Sequence, residues 1–283
     1  MASITDVVKE GLKYPFNDGK KVLTFGIIFL LSSLVSLAME YLVYDNMRIL
    51  ANAAPIETVQ AAISAIPPSS MALIVLSWII TFVLMVFCSG YIYDVIKYGI
   101  EGKFELPDFK DIKGLFIKGL RSFVVGLVYS ILPMILFFLG IMLTVNEAVG
   151  SSVNMIGAII LFIAIFFAIF VALIQVMALC NMVDKDEFAA AFRFNEILAL
   201  IKNLGWGRYI GILLFAVIAV MIISVFFSFL FTAIASAIGI LIGSAFILSL
   251  IYLILNAVLI NPYVSIAISR IYGSIYKEAK KLE

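Results

Sequence analysis

Three polar side chains fall inside long apolar stretches of this sequence: Glu40, Gln175 and Asn256. A polar group in hydrocarbon is costly, so each is a candidate for function. Glu40 lies near one end of its stretch, where a carboxylate either reaches interfacial water or serves as an ion or proton ligand. Gln175 and Asn256 lie deeper. There an amide either locks helices together, at about 0.6 kcal/mol per interhelical hydrogen bond, or lines a path for a polar solute. Asn146 and Glu147 read as turn residues, and Asn181 as an interfacial residue. Asp184, Asp186 and Glu187 cluster without the spacing of a calcium loop, and helix capping is the simpler reading for Asp186, as for Asp6 and Asp111.

Other chemistries are excluded by what the chain lacks. It has no histidine, which removes histidine–metal sites, histidine-ligated haem and the Ser–His–Asp and Cys–His arrangements. Its two cysteines, Cys88 and Cys180, each sit in an apolar run and read as small buried hydrophobes. No phosphate-binding loop, dinucleotide fingerprint or metalloprotease motif is present. A net charge of +1 offers no attraction to nucleic acid. The sequence therefore names no catalytic residue, no cofactor site and no metal site.

The elements that must position these residues follow from composition. Of 283 residues, 64% are hydrophobic and only 13% charged, against about 45–50% and about 25% in soluble domains. Lipid is the solvent that suits such a chain. Six stretches reach the roughly 20 apolar residues needed to cross the hydrocarbon core. They span about residues 22–44, 71–93, 122–145, 153–183, 209–233 and 236–261. The fold class is thus an all-α integral membrane bundle of six transmembrane helices, a single polytopic domain over residues 1–283. Ala235, Ser236 and Gly239 are the only turn signals between the last two spans, and helix is expected to continue past Asn261 to Ile271 or beyond. The first span is too long, and too far from the start, for a cleaved signal peptide.

Lysine and arginine set the orientation. Eighteen of the nineteen fall in residues 1–21, the second-to-third and fourth-to-fifth connections and the C-terminal segment, leaving Arg48 alone on the other side. By the positive-inside rule both termini are cytoplasmic, in a cell membrane. The outer side is small, with a short helix expected from Pro55 to Ile66 and a tight turn at 146–152. On the inner side, Phe109, Ile112, Leu115, Phe116 and Leu120 recur at helical spacing, as do Phe194, Ile197, Leu198, Ile201 and Leu204. Both read as interfacial amphipathic helices, with Ile4 to Leu12 as a shorter third. An interfacial segment followed by a transmembrane hairpin thus recurs three times, a pattern that shared demands of the bilayer explain as well as a true repeat does.

Pro133 frees the carbonyl of Tyr129 and is expected to kink the third span. Pro262 could do the same near the end of the sixth. Gly239 and Gly243 form a GxxxG, a pattern for close helix packing that also admits a homo-oligomer.

Tyr14-Pro15-Phe16, Gly90-Tyr91, Leu106-Pro107-Asp108-Phe109, Gly119-Leu120 and Tyr129-Ser130-Ile131-Leu132-Pro133 occur in that order. Together they resemble an uncharacterised, mainly archaeal membrane family, domain of unknown function 4013. The resemblance implies an archaeal plasma-membrane protein and brings no activity, cofactor or binding residue with it. The residues themselves favour a non-enzymatic membrane scaffold or accessory subunit, whose basic cytoplasmic face meets a protein partner or anionic lipid. The alternative is a small-solute or ion transporter or channel, resting on Pro133, Gln175 and Asn256.

Overall fold

A computed structural model describes residues 3–52, 67–144 and 154–282, and their side chains apart from those of 45–52. The helix expected between Pro55 and Ile66 and the turn expected at 146–152 lie outside the described residues. Among the described residues the chain is helical with no strand. Six helices are long and apolar enough to cross a membrane. The architecture is an all-α membrane bundle.

Local chemistry sets the helix ends. α1 (Ile4–Lys13) starts at a capping box. The Ser3 hydroxyl accepts from the Asp6 N–H at 3.1 Å, and the Ser3 N–H donates to the Asp6 carboxylate at 3.2 Å. A 3₁₀ turn, Tyr14–Asn17, leads to α2 (Gly19–Asn52). α3 (Pro68–Glu101) begins with proline at its first helical position, where no N–H is needed. α4 (Ile112–Thr144) is opened by Asp111, whose carboxylate accepts from the Gly114 N–H at 2.9 Å. α5 (Met155–Lys185) starts at the Asn154 cap and stops at Asp186, a left-handed residue. A second 3₁₀ turn, Phe188–Phe192, precedes α6 (Phe194–Leu204). α7 (Trp206–Ile242) and α8 (Ala245–Leu255) follow, then a π turn, Asn256–Ile260, and α9 (Asn261–Lys280).

Four expectations need correction. The join between the fifth and sixth spans lies at Gly243–Ser244, not at 234–235 as the span bounds imply. Gly243 adopts φ +70, its N–H bonds the Ile240 carbonyl and the Ser244 N–H bonds the Gly239 carbonyl. This pair of bonds closes the helix in a Schellman motif. Second, residues 112–120 are no separate interfacial helix but the first turns of α4, with no proline between them and the apolar span that follows. Third, the apolar stripes of α1 and α6 are largely buried against the protein, with Phe194 and Leu198 left exposed. Val7, Val8, Ile197, Leu200, Ile201 and Leu204 are buried in one hydrophobic core with α5 and α9 residues. Fourth, Asp186 ends a helix rather than starting one.

The chain divides into two compact units. The first takes in residues 1–17, 89–220 and 266–283, and the second residues 18–88 and 221–265. In the first, α4 and α5 pack as a hairpin. An added Cβ on Gly140 would stand 2.7 Å from the Leu161 side chain, and one on Gly157 2.5 Å from the Thr144 nitrogen. α4 continues as helix through Pro133.

In the second unit, Pro262 explains the π turn. Its ring would collide with the Val258 carbonyl in a regular α-helix, and the wider turn at Asn256–Ile260 gives room. The backbone of α2 comes close there. A Cβ on Gly26 would lie 2.4 Å from the Val258 oxygen, so only glycine permits the approach.

Candidate functional site

Within the second unit, α2 presents two neighbouring faces. Ser32, Ser33, Ser36 and Glu40 recur at spacings of three and four and so share one side. Opposite them stand Ser249, Tyr252, Asn256 and Asn261 from α8, the π turn and the start of α9. Together with Leu37, Leu253 and Ala257 they line a cavity of about 440 Å³ along membrane-spanning helices. Glu40 and Asn256, more than two hundred residues apart in the chain, thus share one cavity. The Asn256 amide donates to the Tyr252 carbonyl at 3.1 Å and the Ser249 hydroxyl to the Ala245 carbonyl at 3.1 Å, which fixes their orientation. Among the described residues no lysine or arginine lines it. The site offers hydroxyls, amides and one carboxylate, suited to a neutral or cationic polar ligand.

Gln175 is elsewhere. It belongs to the first unit, half-buried on α5, with its amide nitrogen 3.5 Å from the position of a Cβ on Gly126 of α4. Gly239 meets the Leu248 side chain, 2.7 Å from an added Cβ, so its contact is with the adjoining helix of its own chain. Gly243 faces open space and serves the turn.

The polar groups of the first unit are engaged with one another. Arg270 is 1% exposed. Its guanidinium donates to the Glu10 carboxylate at 2.6 and 3.1 Å, and to the carbonyls of Tyr98 at 2.9 Å and Lys103 at 2.6 Å. It also lies over the Tyr14 ring at 4.4 Å. Burial pushes the Tyr14 phenol up, although the nearby Arg270 charge opposes this, and its hydroxyl donates to the Glu105 carbonyl at 2.5 Å. Sequence reasoning counted Arg270 only as a basic residue. Its spacing from Ile266, Ala267, Ile271, Ser274 and Ile275 puts it on the buried stripe of α9, which was the available signal.

The acidic cluster is likewise occupied. Asp184 takes Lys280 at 2.6 Å and the Tyr276 hydroxyl at 3.2 Å. Asp186 takes Arg121 at 3.2 Å and the Tyr93 hydroxyl at 3.1 Å. Glu187 takes Arg193 at 2.5 Å. Asn181, fully buried, donates to the Ala190 carbonyl at 2.9 Å and accepts from Tyr276 at 2.8 Å. Lys185 pairs with Glu196, and that hydrogen bond holds the Glu196 carboxyl below the usual glutamate range. Among the described residues no group of acidic or cysteine side chains is placed to hold a metal ion.

The short motifs noted in the sequence meet in the first unit. Tyr91 stacks on Phe109 with ring centroids 4.2 Å apart, and Leu106 is buried. An added Cβ on Gly90 would stand 1.9 Å from the Leu115 carbonyl. The Tyr129 hydroxyl donates to the Ala191 carbonyl at 2.7 Å.

These features define a multi-pass, all-α membrane protein with a polar cavity in one unit and a bonded ionic network in the other. The chain belongs to the family DUF4013, described as a protein of unknown function, whose model matches residues 73–232, more than half of the 283. No curated protein and no solved structure matches the chain.

Proposed function

We propose that this chain is a non-enzymatic protein of an archaeal cell membrane that binds a small polar solute in the cavity of its second unit and passes it across the bilayer. One observation supports the reading. Glu40, Asn256 and four serines, on segments distant in sequence, converge on one cavity among otherwise apolar helices. Polar groups at that level are costly unless something uses them. The archaeal origin rests on the motif resemblance. The placement of both termini in the cytoplasm rests on the eighteen-to-one division of lysine and arginine. The test is uptake by proteoliposomes of radiolabelled methylammonium and glycerol, the cationic and neutral probes the lining suits. Asn256→Leu is expected to lower uptake of whichever probe is carried about tenfold. Uptake that ignores both Asn256→Leu and Glu40→Gln contradicts the reading.

A second reading is a membrane scaffold or accessory subunit. Exposed Lys9 and Lys13 on α1, Lys113 on α4 and Lys202 on α6 favour it, since they suit anionic headgroups or an acidic partner surface. Native mass spectrometry of the gently extracted protein tests it. A stoichiometric partner lost on charge reversal of these lysines supports it; a lone chain, or a homo-oligomer, counts against it.

A further inference from the structure

The polar cavity has an apolar neighbour. A second cavity of about 800 Å³ is lined by Leu34, Ala38, Tyr41 and Tyr44 on the adjoining face of α2, with Leu73, Leu76 and Ile80 of α3. Leu37 and Glu40 line both cavities. α2 therefore forms a ridge with hydrogen-bonding groups on one side, an apolar groove nearly twice as large on the other, and a carboxylate on the crest. Tyr41 and Tyr44, 70% and 69% exposed, stand beside Glu40 on the groove side and offer ring faces and hydroxyls to a head group.

We propose, building on the solute-binding reading, that the ligand is a lipophilic ammonium. Its cationic head sits against Glu40 and its alkyl chain lies in the α2–α3 groove. Charge decides between head groups. Among the described residues, Glu40 is the one carboxylate in either lining, and no lysine or arginine lines either cavity. An anionic head would meet Glu40 with no compensating cation among the described lining residues, and a sugar or alcohol head would leave that carboxylate unmatched in a low-dielectric setting. An ammonium matches the carboxylate directly, can donate to the serine and asparagine oxygens across the ridge, and suits the tyrosine faces. Size decides the rest. The polar cavity takes a compact head, and the larger groove has an apolar lining suited to a chain drawn from the bilayer.

The experiment uses dodecylamine carrying a photoreactive diazirine in its chain, with the matching dodecanol as control, on the full-length protein in phosphatidylcholine proteoliposomes. Cross-linked peptides are mapped by mass spectrometry. The expected result is saturable amine labelling within residues 34–44 and 73–80, falling about tenfold with Glu40→Gln, as the loss of a charge-assisted hydrogen bond implies. Ala38→Trp, which fills the groove and keeps Glu40, should abolish the labelling while leaving methylammonium uptake intact. Dodecanol should label weakly and ignore Glu40→Gln. Labelling spread evenly over all spans, or equal for amine and alcohol and indifferent to Glu40→Gln, overturns the proposal. If amine labelling fails while uptake of methylammonium or glycerol still depends on Glu40 or Asn256, the lipophilic ligand falls and the polar-solute reading stands. If that uptake also ignores both Glu40→Gln and Asn256→Leu, both fall.

Discussion

Arg270 in the first unit and Glu40 in the second are both charged side chains on membrane-spanning helices, yet their surroundings are opposite. Arg270 is enclosed, with its donors taken by Glu10 and by two backbone carbonyls. Glu40 borders two cavities, with no cation among their described lining residues. The same contrast holds between Asn181, which bonds Ala190 and Tyr276 on both ends of its amide, and Asn256, which anchors to its own helix and faces a cavity. Polar groups enclosed by mutual partners specify a packed arrangement. Polar groups aligned on a cavity are available to a ligand.

Substitutions should separate these two uses. The largest expected effect on stability is in the first unit. Arg270→Ala leaves Glu10 and the carbonyls of Tyr98 and Lys103 without their donor, and should cost about 3 kcal/mol. Chemical denaturation in detergent or bicelles measures it. A loss below about 1 kcal/mol would remove the distinction between the units.

Close backbone contacts come next. Gly90→Ala drives a Cβ into the Leu115 carbonyl in the first unit, and Gly26→Ala drives one into Val258 in the second. Each should cost about 1–3 kcal/mol by thermal unfolding. Gly26→Ala should also reduce solute uptake, because it displaces the turn that carries Asn256, whereas Gly90→Ala is expected to act through stability.

Smaller stability effects belong to the cavity. Asn256→Leu and Glu40→Gln should each shift stability by less than about 1 kcal/mol while uptake falls. A large loss of stability would mean that these groups are structural, like those of the first unit.

The smallest effect concerns pH. The Glu196 carboxyl is held low by its hydrogen bond from Lys185. Its contribution is therefore full above the ordinary glutamate range and is lost as pH falls through the lower folded value. Because the pair is partly exposed, it is worth about 0.5 kcal/mol. Stability of Glu196→Gln compared with the parent should converge toward acid and diverge toward neutral pH.

Much of this arrangement was legible in the sequence, for identifiable reasons. The six spans follow from length and hydropathy, because lipid imposes both. The capping roles of Asp6 and Asp111 follow from their place at helix starts, whereas Ser3, which completes the box with Asp6, was not singled out. The Gly243–Ser244 join was missed because it interrupts an apolar run with two small residues, and Ala235 and Ser236 offered the same signal earlier. The first turns of α4 were misread as a separate helix because an amphipathic stripe does not reveal whether the helix continues into an apolar span. The cavity shared by Glu40 and Asn256, and the pairing of Arg270 with Glu10, each join residues distant in the chain. Periodicity places each residue on a face, but tertiary packing chooses what stands opposite.

The most direct test is water access to the two kinds of polar site. Single cysteines at Ser36, in the cavity lining, and at Ser274, buried in the first unit, would be reacted with a small water-soluble thiol reagent in proteoliposomes. The native Cys88 and Cys180 are buried, so their background should be low. Ser36→Cys is expected to react readily and Ser274→Cys to stay silent until the protein is unfolded. If Ser36→Cys is as inert as Ser274→Cys, the second unit holds no accessible polar cavity and the account fails.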